Sequence, residues 1–205
     1  HLQSSDNELF DPKRIDNALH ADRLFELADQ HYESGEYTKA ISALQKIVTL
    51  TNDDALKADV YNNIGYFKLR LGQYRSSIAD FHKALEIAPE YGYANDNLGF
   101  ALIMAGDLEN GKVFLERAIR TKSNDQAYSY RNMALYFQRK GDRNSAEDYF
   151  QKAFSMQTPV DLLSYFYGQF LIANGDIKNG LEYIRMSADS GEIEGREFLE
   201  KIANK

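Results

Sequence analysis

The chain has 205 residues, enough for one large domain or two small ones with a proper core. Hydrophobic residues make up 43% of it, a normal globular share, so disorder is not the starting assumption. The absence of cysteine excludes disulfides, thiolate metal sites and cysteine nucleophiles together, and a net charge of −7 argues against nucleic-acid binding, which needs a basic face.

In chain order, residues 1–10 are polar and expected to be loose, with Pro12 marking a helix entry. The loose segment is drawn as 1–15 and the main domain as 16–190. Within that domain the glycines Gly35, Gly72, Gly106, Gly141 and Gly175 recur at separations of 37, 34, 35 and 34 residues. Around each one the same residue types return. Seven residues upstream stand Ala28, Gly65, Gly99, Ala134 and Gly168, all small; five downstream stand Ala40, Ser77, Gly111, Ala146 and Gly180, again small. Nine downstream come Leu44, Phe81, Leu115, Phe150 and Ile184, all large and apolar. Antiparallel helices approach closely only where one side chain is missing and its neighbour is bulky. The glycine between them supplies the positive φ of a helix C-cap.

The pattern predicts repeated helix pairs at about 21–54, 58–91, 92–125, 127–160 and 161–191. The first connection, near Thr51–Lys57, is longer, and Asn52-Asp53-Asp54 reads as turn and N-cap material. In the terminal segment 192–205, Ile193–Ala203 reads as a short capping helix. Its Phe198, Leu199 and Ile202 cover the last repeat while Glu194, Arg196, Glu197, Glu200 and Lys201 stay wet.

A period of about 34 residues with these signature types resembles the tetratricopeptide repeat family over about residues 21–190. The second repeat carries the likeness best, through Tyr61, Ile64, Gly65, Gly72, Tyr74, Ser77, Phe81, Ala84 and Pro89. In the third repeat Asn95 replaces the usual aromatic, and Ile47 and Ser164 depart from the pattern in the first and fifth. The resemblance implies an all-α fold, a right-handed α-solenoid of about five helix-turn-helix repeats closed by the C-terminal helix. It also implies a role in binding proteins.

No catalytic constellation stands out, and the chain is expected not to be an enzyme. Of the four histidines, no pair has the i, i+4 spacing of a helical zinc site. His31 is expected to be a hydrogen-bonded packing residue and His82 to be exposed. Asp53-Asp54 reads as a cap, and the glycines are too dispersed to form a phosphate-cradling loop. No cofactor and no metal is expected. No apolar run is long enough to span a bilayer, so no membrane span is expected. The chain begins at His1, which leaves cytoplasmic, periplasmic and exported placement open, since a signal segment could precede it.

The resemblance further implies that the leading helix of each repeat lines a concave groove. Its sixth position gives Asn63, Asn97 and Asn132, a ladder whose amides suit the repeating donors and acceptors of an extended peptide. The competing reading gives these asparagines only local hydrogen bonds within the scaffold. Tyr66, Phe100, Leu135, Tyr93 and Tyr128 surround the ladder, either as binding aromatics and apolar contacts or as packing between repeats. Asp22, Glu26 and Asp29 in the first repeat and Arg70, Arg131 and Arg139 in the second and fourth form either a charge gradient for a directional peptide or a solvated pattern. The family's clamp for chaperone tails needs lysine, asparagine and arginine at positions that here read Phe25, Asp29, Asn63, Tyr93 and Asn97, so that partner is not expected. The leading expectation is an adaptor gripping a peptide in the groove; the alternative is a structural scaffold that docks or self-associates through its ends or convex face.

Overall fold

A computed structural model describes residues 12–121 and 125–204, and residues 1–11, within the segment expected to be loose, lie outside it. Among the described residues all regular structure is helical. The chain divides into two units, 1–107 and 108–205.

Unit 1 contains α1 (Pro12–Glu33), α2 (Tyr37–Leu50), α3 (Asp54–Arg70), α4 (Tyr74–Ile87) and α5 (Gly92–Ala105). The start of α1 at Pro12 shortens the expected loose segment, because a proline at a helix start lacks only an N–H that would have had no helical partner. Unit 2 contains α6 (Leu108–Thr121), α7 (Gln126–Lys140), α8 (Arg143–Ser155), α9 (Leu163–Ala173), α10 (Ile177–Asp189) and α11 (Ile193–Ala203).

Two devices make the tight turns. At Gly141 the backbone takes φ 78°, its N–H reaches Gln138 O, and the Asp142 N–H reaches back to Phe137 O. That double closure satisfies the last carbonyls of α7, and only glycine takes this φ without steric cost. Asp142 then caps α8 by accepting from the Ser145 N–H at 3.1 Å, and this bond with that of the Ser145 hydroxyl holds its carboxyl below the usual range. The pairing recurs at Gly175-Asp176, where Asp176 accepts from the Asn179 N–H. Asp53 caps α3 through the Leu56 N–H, as its turn sequence predicts. Each such cap contributes about 1 kcal/mol.

The expected pairing of small and bulky residues is present within each unit. Phe81 of α4 is fully buried against Gly65 of α3, where a Cβ would stand only 2.6 Å from the ring. Burying such a ring contributes roughly 1.5–3 kcal/mol. In unit 2, Gly168 of α9 faces Gly180 and Ile184 of α10, while Phe150, Tyr167 and Phe170 form an aromatic core with centroids 5.2 to 6.1 Å apart. On α11 only Gly195 is buried, and Ile193 and Ile202 are exposed, so the closing helix covers less than its sequence predicts. Phe198 and Leu199 are half-buried.

Candidate functional site

In unit 1 the leading helices α1, α3 and α5 lie side by side. Tyr32 of α1 meets Tyr66 and stacks on Phe67 of α3, with centroids 6.2 and 5.2 Å away. Farther along, the Asn97 side-chain amide of α5 donates to Asn62 Oδ1 of α3 at 3.0 Å. The Asn62 amide in turn points at Asn63 Oδ1 over a longer 3.5 Å. Asn62 is buried, while Asn63 and Asn97 are half-exposed. The two predicted asparagines are therefore brought together by a third residue that the sequence reading did not assign. Its signal was the Asn62-Asn63 doublet.

This relay polarises the pair. Asn97 uses an N–H on Asn62 and keeps its carbonyl oxygen; Asn63 receives the relay on its oxygen and keeps its NH₂ donors. The face thus offers one acceptor and one donor group, the complement of a peptide unit. Tyr66 and Arg70 of α3 are half-buried, and Phe100 of α5 is buried with its ring edge-on to Tyr74 at 6.2 Å. Phe100 is thereby a packing residue. Tyr93 is the most open of the predicted aromatics, at 49% exposure. Its neighbour Tyr91 lies 6.2 Å away at 81°. Burial, and a hydrogen bond with the Asp59 carboxylate, push the Tyr91 hydroxyl above the usual tyrosine range.

Asn132 in unit 2 is placed differently. It is fully buried, and its Oδ1 accepts from Arg131 Nε and Nη2 at 3.0 and 2.8 Å. Arg131 is itself buried, donates through Nη1 to Asp161 O, and lies over the rings of Tyr128 and Phe166. Tyr128 is half-buried against Asp161, and burial followed by that carboxylate pushes its hydroxyl up. Asn132 is therefore not equivalent to Asn63 and Asn97: its amide oxygen serves Arg131, which also bonds the backbone at Asp161. The reason is chemical, since a buried guanidinium requires several acceptors, and the amide oxygen next to it in sequence supplies one beside the Asp161 carbonyl. Of the cations expected to form the charge gradient, Arg131 is buried and Arg139 is exposed, and the acidic Asp22, Glu26 and Asp29 are exposed. Leu135 is buried.

Elsewhere, His31 is half-buried with Nδ1 2.7 Å from Glu36 Oε2, and His82 is exposed, as the sequence predicts. Hydrogen bonds from Lys39 and His31 hold the Glu36 carboxyl below its ordinary range. Among the described residues no group of three or more His, Asp or Glu could hold a metal ion, and no helix is long and apolar enough to cross a membrane.

Tetratricopeptide repeat models match residues 24–50, 58–91 and 126–158. The chain belongs to the tetratricopeptide repeat family. No curated protein matches it. Among solved structures, the tetratricopeptide protein TTC0263 of Thermus thermophilus is 15% identical and covers 90% of this chain and 100% of its own, with a TM-score of 0.74. A tetratricopeptide repeat protein from Parabacteroides merdae is 18% identical over 86% of this chain and 68% of its own, at 0.71. MamA is 24% identical over 67% of this chain and 78% of its own, at 0.55. At these identities the likeness shows the fold, all-α tetratricopeptide repeats, and the ligand has to be argued from the side chains above.

Proposed function

We propose that this tetratricopeptide repeat protein is a non-catalytic interaction module that holds an extended peptide on the α1, α3 and α5 face of unit 1. The observation that supports this reading most is the Asn97–Asn62 bond, which leaves the half-exposed amides of Asn63 and Asn97 offering a donor and an acceptor side by side. A peptide backbone repeats that chemistry along its length, and open Tyr93 supplies contact area at low entropic cost. Selection of displayed random dodecapeptides on the full chain tests it. Binders are expected to lose roughly tenfold or more in affinity on the double change Asn63→Ala, Asn97→Ala, from about 1 kcal/mol per hydrogen bond. Unchanged affinity with an unchanged helical spectrum overturns the assignment to this face.

A second reading, a scaffold that self-associates, draws on the exposed aliphatics of the first and last helices: Ile15, Leu19 and Leu27 on α1, and Ile193 and Ile202 on α11. Light scattering over a concentration series separates the two, since a strict monomer removes self-association.

A further inference from the structure

We propose that Tyr91, Tyr93 and Asp59 form a receptor for a cationic side chain, a lysine or arginine of the peptide held on the leading face of unit 1. The proposal rests on the peptide-binding reading and specifies the chemistry of one ligand residue.

The geometry is that of a corner. The two tyrosine rings stand 6.2 Å apart at 81°, so their faces make adjacent walls at nearly a right angle. Aromatic faces are electronegative and attract a cation centred within about 6 Å. Elsewhere the protein satisfies rings with its own cations, as Lys83 does over Tyr61 at 5.1 Å. No such internal cation is seated on Tyr91 or Tyr93 among the described residues. Asp59 is exposed beside Tyr91, and a carboxylate, which can accept from several donors at once, has room for a further one.

The corner is held in shape from behind. Asn95, fully buried, donates both amide hydrogens, to Pro89 O at 3.1 Å and to Tyr91 O at 3.0 Å. Those bonds fix the turn that carries Tyr91 and set Tyr93 two residues on, so little ordering remains to be done on binding. Asn95 stands where the family usually has an aromatic, and this turn is what the exchange achieves. The surroundings favour the same sign of ligand: Asp22, Glu26 and Asp29 are exposed on α1, the first of the three leading helices.

The test uses the full chain with labelled tyrosine rings. Tetramethylammonium is expected to shift the Tyr91 and Tyr93 ring signals saturably, and neutral neopentyl alcohol is not. A fluorescein-labelled heptapeptide with a central arginine and no other charged side chain is expected to bind about 3- to 10-fold more tightly than its norleucine counterpart. Tyr93→Leu and Asp59→Asn should each collapse that preference. If both peptides bind alike and both move the Asn63 and Asn97 amide signals, the peptide reading stands and the cationic corner is overturned. If neither peptide binds, the peptide reading falls; the tetramethylammonium titration then decides the corner, a shift supporting it and its absence overturning it.

Discussion

Arg131 and Glu192 hold opposite ends of one peptide group. Arg131 Nη1 donates to the carbonyl of Asp161, and the N–H of Leu162, on the same peptide bond, donates to Glu192 Oε1 at 2.5 Å. Leu162 sits in the left-handed region with φ 61°, which costs a branched residue of order 1 kcal/mol or more. Glu192 also accepts from the Ser187 hydroxyl, so one carboxylate ties the entry of α9 to the end of α10. Removing it, as Glu192→Ala, is expected to destabilise unit 2 by about 1–3 kcal/mol, because the Leu162 N–H and the Ser187 hydroxyl lose their acceptor. Arg131→Lys is expected to cost a similar amount, since an ammonium cannot reproduce the planar set of bonds to Asn132 and Asp161. Urea titration gives the energies, and amide exchange across residues 160–166 shows whether the α9 entry is what loosens.

The helix contacts at glycine make a graded prediction. At Gly65 an added Cβ meets the Phe81 ring at 2.6 to 2.9 Å, and at Gly168 it meets the backbone oxygen of Gly180 at 2.7 Å. A ring can tilt, but a backbone carbonyl moves only if α10 moves with it. Gly65→Ala is therefore expected to cost about 1–3 kcal/mol, and Gly168→Ala more than Gly65→Ala. Pairing Gly65→Ala with Phe81→Leu should recover part of the loss, whereas no single side-chain trim on α10 relieves Gly168→Ala of the carbonyl contact. Denaturant midpoints of these variants and of the wild type check the order.

Much of this fold was legible because steric requirements repeat. Gly65 and Phe81, or Gly168 and Ile184, return at fixed offsets from a turn glycine, and one chain supplies several copies of the same constraint. The candidate face was less legible because polar satisfaction depends on what arrives from elsewhere. Asn63, Asn97 and Asn132 share a register position, yet Arg131 beside Asn132 requires acceptors when buried and takes the amide oxygen, while Asn63 has Asn62 for a neighbour. Asn95 shows the converse: it reads as a lapse from the repeat pattern and proves to hold the turn at Pro89–Tyr91. Leu162 and Glu192 lie 30 residues apart with no periodic signal joining them, so their contact could not be read from spacing.

Glu109 of α6 sets an acid limit that can be measured. Its carboxylate accepts from Lys140 at 2.9 Å and lies 3.3 Å from the Tyr136 hydroxyl. The Lys140 hydrogen bond, with smaller contributions from the Lys140 charge, Tyr136 and Lys112, holds its pKa below the ordinary 4.5. A group depressed in the folded state stabilises above its unfolded value and loses that contribution as pH falls through the folded one. Lys140 is raised above 10.5, first by its hydrogen bond to Glu109, so its contribution is complete below 10.5 and is lost as pH climbs through the folded value. Thermal midpoints of the chain should fall below pH 4.5 and again above pH 10.5, and Glu109→Gln should flatten both limbs. Because both side chains are exposed, the difference between wild type and variant should shrink in roughly 0.5 M salt, where the screening length is only a few ångströms. Identical pH profiles for the two proteins at low salt would show that this pair contributes nothing to folding.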